Sequence, residues 1–195
     1  MLEEGLYSEG KILVAGIDEA GRGPLAGPVA AACVILPKGI ILPGVNESKR
    51  LSPKRRVEFS EIIKKEAVCY NIALASIDKI SEINILQATF LAMKKAAAGM
   101  KIKPEHVLVD GSSIPDAGFL HTAVKGGDEK SISIAAASIL AKVYRDSLMI
   151  EYAKLYPEYG FETHKGYGTV KHIEAIKKYG PCPIHRTGFI KKFIQ

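Results

Sequence analysis

The stretch Ile12-Leu13-Val14-Ala15-Gly16-Ile17-Asp18-Glu19-Ala20-Gly21-Arg22-Gly23-Pro24 joins an apolar, β-branched run to two adjacent acids and a glycine turn. The run reads as a buried strand. A carboxylate pair at the mouth of such a strand costs folding free energy unless a cation or hydrogen-bond donors compensate it, so the junction is a candidate site. Neighbouring strand residues point to opposite faces. Asp18 and Glu19 are therefore expected to share a site only if the strand ends or bulges there.

Outward from this junction, apolar runs at Val29 to Leu36, Cys69 to Ser76, His106 to Val109 and Phe119 to Val124 read as four further strands. Helices are expected from Ser52-Pro53 to about Lys65, from a cap at Ser81 to Gly99 or Lys103-Pro104, from Ser131 to about Tyr156, and from Val170 to Lys178. In the second of these, Ile83, Leu86, Phe90, Met93 and Ala97 recur at three- and four-residue steps and predict one apolar face. Strands interleaved with helices make an α/β protein with a central sheet, and the short connection between the first two strands makes part of it antiparallel. At 195 residues, without repeats or a long linker, the chain is expected to form one domain, with about 157–195 as a basic, mainly helical C-terminal extension.

Composition narrows the function. The cysteines, Cys33, Cys69 and Cys182, are three and far apart, which argues for a reducing compartment and against a structural zinc site. No apolar stretch approaches a membrane span, and Met1-Leu2-Glu3-Glu4 is too acidic to begin a secretory signal, so a cytoplasmic protein is expected. The formal net charge is +6, and from Phe161 to Gln195 seven Lys or Arg face only Glu162 and Glu174. A second basic stretch holds Lys49, Arg50, Lys54, Arg55 and Arg56. Positive edges around an acidic centre suit a polyanion gripped by its backbone while metal ions sit in the middle.

Asp110 resembles Asp18 in closing a strand-like run ahead of a glycine, so both are expected at the ends of adjacent strands. Asp128 follows Lys125-Gly126-Gly127 just before the helix expected at Ser131, where it is a further candidate ligand or a cap. Asp146 lies ~22 Å along that helix at ~1.5 Å per residue and is read as a structural partner of Arg145 or a lysine. Carboxylates without clustered His or Cys favour hard cations, Mg²⁺ or Mn²⁺, and the matching chemistry is phosphodiester cleavage. Gly21-Arg22-Gly23 beside the acids lets backbone groups approach a ligand such as a sugar 2′-hydroxyl.

Taken together, the chain resembles the bacterial ribonuclease HII family. The resemblance is carried by Gly16 to Val29, Asn46-Glu47-Ser48-Lys49, the Asp110 strand end, Lys125 to Asp128, Ile134 to Asp146, His164 to Thr169 and Pro183-Ile184-His185-Arg186. Glu47 and Thr187-Gly188 depart from the usual pattern. The resemblance implies a ribonuclease H-like fold with a central mixed five-stranded sheet. It implies Asp18, Glu19, Asp110 and Asp128 as catalytic metal ligands for two ions. Gly21, Arg22, Gly23 and Tyr167 would recognise the 2′-hydroxyl, and Lys49 would hold a phosphate. The implied substrates are RNA/DNA hybrids and DNA duplexes containing ribonucleotides, cut by a monomer that a replication or repair clamp could recruit. The competing readings are a structure-specific DNA nuclease of the same superfamily and a non-catalytic nucleic-acid-binding module.

Overall fold

A computed structural model describes residues 1–45 and 51–194; Lys49 and the rest of its Asn46 to Lys49 element lie outside the described residues. Five strands, β1 (Val14–Ala20), β2 (Val29–Ile35), β3 (Cys69–Ala75), β4 (His106–Asp110) and β5 (His121–Val124), form one sheet in the order β3-β2-β1-β4-β5. The first three pair antiparallel, whereas β4 and β5 run parallel to β1. The sheet is mixed and five-stranded, as expected. The helices are α1 (Leu2–Ser8), α2 (Pro53–Glu66), α3 (Ile77–Ala98), α4 (Gly127–Lys130), α5 (Ile132–Leu155), α6 (Phe161–His164), α7 (Val170–Tyr179) and α8 (Thr187–Ile190).

Strand alternation divides the core between the two faces of the sheet. Ala15, Ile17, Ala31 and Cys33 pack with Phe90 and Met93 of α3, while Ala32 and Val34 pack with Ala136, Ile139 and Leu140 of α5 and Phe59 and Ile63 of α2. Gly16 sits where β1 meets the start of α5: a Cβ there would collide with the Ser133–Ile134 backbone, so only glycine lets the two elements approach. A third cluster, including Met149, Tyr159, Phe161 and Ile176, seats the C-terminal helices on the end of α5.

Three sequence expectations are corrected and one helix is added. Strand β1 neither ends nor bulges at the acids: its pairing with β2 continues through Asp18↔Ala32, Glu19↔Ala31 and Ala20↔Ala30. What stops is its pairing with β4, at Ile17↔Val109. The helix expected from Ser81 begins at Ile77 behind the Ser76 cap and then kinks at Asn84, at φ 66°. There the Asn84 side chain accepts from the Leu86 and Gln87 amides and starts the helix afresh, a reset that leaves Leu86 exposed while Phe90, Met93 and Ala97 stay buried. Asp128 does not cap α5 but lies in the separate turn α4; Ser131 caps α5 through the Ile134 amide at 3.1 Å. Finally, α1 carries buried Glu3, whose Oε1 accepts from Ser131 Oγ at 2.6 Å and the Ser133 amide at 2.9 Å. An N-terminal carboxylate thus completes the cap of α5 across 130 residues of sequence.

Candidate active site

Where β1 outruns β4, one strand edge is open, and Asp110 closes β4 beside it. With no strand paired to that edge among the described residues, carboxylates leaving β1 on opposite faces both stay within electrostatic reach of Asp110. Asp18 is 7% exposed, and burial first, then the charges of Glu19 and Asp110, hold its carboxyl well above the ordinary range, against a hydrogen bond from Ser138. Glu19 is raised as well, by burial first and with Asp110 adding to it, against the opposing pull of Arg22, whose Nη1 lies 3.3 Å from Glu19 Oε1. Both shifts disfavour charge. The backbone offers partial relief: the Glu19 amide donates to Asp18 Oδ1 and the Gly127 amide to Asp110 Oδ1, each at 2.7 Å. Through Gly127 the second contact draws the start of α4, and with it the buried Asp128, toward the end of β4.

The structure therefore joins Asp18, Glu19 and Asp110 electrostatically and places Asp128 one residue from an Asp110 contact. Among the described residues, no three His, Cys, Asp or Glu side chains are already gathered as a coordinating set. Asp146 pairs with Lys142 at 2.7 Å, the lysine alternative of the sequence reading.

Next to the acids opens a cleft of about 410 Å³ lined by Glu19, the Gly21 to Gly23 turn, Arg56, Ser138, Lys142 and Tyr167. Gly21 adopts φ 101°, a conformation side chains disfavour, and a Cβ there would strike the Arg145 guanidinium. Tyr167 is exposed and its ring lies against Gly23, with Lys142 Nζ 5.6 Å from the ring centroid. Turn and tyrosine, 144 residues apart in sequence, thus face one cleft. Ser138 and Lys142 were not singled out from the sequence, and Arg56 was read only as part of a basic stretch. Ser138 and Lys142 are four apart on α5 and so share a face, a signal that a solvated helix stripe gives equally well.

Two buried arginines build the wall behind the turn. Arg145 donates to the carbonyls of Pro28, Lys165 and Ala26 at 2.9–3.0 Å. Arg186 donates to the carbonyls of Gly27, Arg22, Pro24, Gly21 and Pro28. The segment carrying Arg186 is itself zipped to the chain after the turn, through Gly27 N to Ile184 O at 2.9 Å and Arg186 N to Leu25 O at 2.8 Å.

The Tyr167 loop is held from below by histidines. His172 Nδ1 lies 2.8 Å from the Tyr167 carbonyl and its Nε2 lies 3.0 Å from His185 Nε2, while the Cys182 amide donates to His185 Nδ1. One assignment of tautomers satisfies all three contacts: His172 donates from Nδ1 and accepts at Nε2, and His185 donates from Nε2 and accepts at Nδ1. Burial first, with neighbouring histidine charge, pushes both rings down to about 4, so both are neutral at pH 7.

The same architecture occurs in known proteins. Ribonuclease H2 from Pyrococcus horikoshii superposes with a TM-score of 0.77 at 28% identity, covering 92% of this chain and 96% of its own. Ribonuclease HII from Archaeoglobus fulgidus, in a complex with PCNA, gives 0.78 at 27% identity, covering 90% and 94%. Ribonuclease HII of Caldanaerobacter subterraneus subsp. tengcongensis is 58% identical over 193 residues, 99% of this chain and 80% of that protein. That of Caldicellulosiruptor bescii is 53% identical over 194 residues, 100% of this chain and 94% of that protein. With the Ribonuclease HII family model also matching residues 15–192, the chain belongs to the ribonuclease HII family and is an endoribonuclease of the ribonuclease H type.

Proposed function

We propose that the chain hydrolyses the RNA strand of RNA/DNA hybrids and cuts on the 5′ side of ribonucleotides embedded in duplex DNA, using two divalent cations and leaving a 3′-hydroxyl and a 5′-phosphate. The observation that carries this reading is the open end of β1, where burial and the Asp110 charge raise the cost of ionising Asp18 and Glu19 beside a glycine turn. Partly compensated carboxylates that offer oxygen donors alone fit Mg²⁺ or Mn²⁺. A solved relative, Bst-RNase HIII, was crystallised in complex with Mn²⁺. Asp18, Glu19, Asp110 and Asp128 are the residues that would hold the ions. When bound, such ions lower the pKa of an attacking water and neutralise charge on the leaving oxygen.

The remaining roles belong to the chain's own groups. The backbone of Gly21, Arg22 and Gly23 reads the 2′-hydroxyl, a group that only ribose carries. Tyr167 packs on the sugar from the opposite wall of the cleft and places the scissile bond. Lys142 and Arg56 line the same cleft and supply positive charge for the flanking phosphates, and Lys49 holds a further one. The protein acts as a monomer in the cytoplasm. Among the described residues no helix is long and apolar enough to cross a membrane.

The test compares three labelled duplexes with Mg²⁺ or Mn²⁺: all-DNA, DNA with one ribonucleotide, and RNA/DNA hybrid. Wild type is expected to cut the last two and spare the first. Asp110→Asn is expected to lose at least about a thousandfold in kcat with its fold intact. Equal cutting of all-DNA, or full activity in Asp110→Asn, would overturn the assignment.

A further inference from the structure

Arg186 is 1% exposed, and its five donor contacts all end on main-chain carbonyls; among the described residues no carboxylate forms an ion pair with it. Such an arrangement spends a whole buried guanidinium on the shape of one loop. Two of the five carbonyls belong to the turn itself: Gly21 O at 2.6 Å and Arg22 O at 2.9 Å. In a trans peptide the carbonyl and the following N–H point in opposite directions. Carbonyls of Gly21 and Arg22 drawn inward to Arg186 therefore aim the N–H groups of Arg22 and Gly23 outward, on the side where the turn lines the cleft. Among the described residues neither N–H donates to a backbone carbonyl.

We propose that Arg186 is the positioning residue for ribose specificity: by holding the Gly21 and Arg22 carbonyls away from the cleft, it presents the Arg22 and Gly23 amides to the substrate's 2′-hydroxyl. Glycines alone leave the turn free to flip its peptide planes. A flipped plane would show a carbonyl to the cleft and lose the donor pair. The guanidinium suits the task because its five N–H groups form a rigid fork, whereas a lysine in its place carries three donors on one rotating nitrogen. This inference rests on the reading of the turn as the ribose contact, and wild type tests that reading separately.

The experiment measures single-turnover cleavage and duplex affinity for wild type, Arg186→Lys and Arg186→Gln on DNA containing one ribonucleotide, each well below its own unfolding midpoint. Met93→Ala, in the core between α3 and the sheet, is the control for lost stability without contact to the turn. Both Arg186 variants are expected to cleave at least about 100-fold more slowly. Their affinity for the duplex, dominated by phosphate contacts, should change by less than about threefold. Met93→Ala should cleave at the wild-type rate. Wild-type cleavage by either folded Arg186 variant would overturn the proposal, as would a loss of affinity that accounts for the loss of rate. If neither variant folds while Met93→Ala does, Arg186 belongs to the fold rather than to the turn, and the proposal fails. Wild type cutting all-DNA as fast as the ribonucleotide substrate would instead refute the ribose reading, and the proposal with it.

Discussion

Asp18 shows how a single residue can oppose the fold that carries it. Its carboxyl sits on β1 under α5, and its raised pKa means that folding disfavours its charged form. For a carboxyl raised on folding, stability is fully present below the unfolded value and declines as pH rises through the folded one. Without divalent ions the same holds for Glu19, so this pair works against stability at neutral pH. Asp18→Asn keeps the shape and removes the charge. It is expected to abolish cleavage and yet raise the unfolding free energy of the metal-free protein by about 0.5–2 kcal/mol at pH 7, as read from denaturant titration. Equal or lower stability in the variant would refute the electrostatic account. The acids were legible in the sequence as residues out of place at the end of an apolar run. Their arrangement was not, because the open edge depends on the pairing of β1 with β4 ending at Ile17↔Val109, a fact of strand pairing rather than of local pattern.

At the scale of elements, the segments after α5 carry the cleft wall through the histidine relay, and its energetics have the opposite sign. His172 and His185 are depressed on folding, so their contribution is fully present above the unfolded pKa near 6.5 and is lost as pH falls toward about 4. Protonating His172 would also set two donors against each other across the 3.0 Å contact to His185. Stability is therefore expected to fall between pH 6.5 and 4 by up to about 1.4 kcal/mol per pH unit for each histidine. Asp18 and Glu19 favour the fold at low pH, so the histidine contribution is read by comparing urea midpoints at pH 7 and 5 for wild type and His185→Gln. A smaller acid-induced drop in the variant is the expected result. Elements with caps were visible in the sequence: Ser52 before Pro53, Ser131, and Gly180 after α7 all stand where expected. The kink at Asn84 was not, because an asparagine in an apolar helical period gives no local sign that its side chain will cap the next turn. Helix α1 was missed for a related reason: its buried Glu3 reads as a solvated acid until the start of α5 arrives to take it.

Across the whole molecule, charge is the feature that sequence reports most directly. The excess of lysine and arginine after Phe161 is carried in part by Lys171 and Lys177 on the exposed face of α7, which begins three residues after Tyr167. If that face meets the phosphates of a duplex, Lys171→Ala with Lys177→Ala will weaken hybrid binding and make the slope of log affinity against log salt shallower by about 1–2, with kcat at saturation unchanged. An unchanged slope would place those lysines away from the substrate. Sequence alone determined the strands, the four longest helices, the positive surplus and the chain neighbourhood of each acid, because burial imposes periods of two and 3.6 residues that any local window contains. Tertiary structure decided which of those residues meet. It set β4 beside β1 so that Asp110 comes within electrostatic reach of Asp18, and it brought Arg186 across 165 positions to hold the Gly21 carbonyl. Such contacts are invisible in a local window because a backbone carbonyl looks the same at every residue. Only the folded chain determines which one a buried guanidinium will reach.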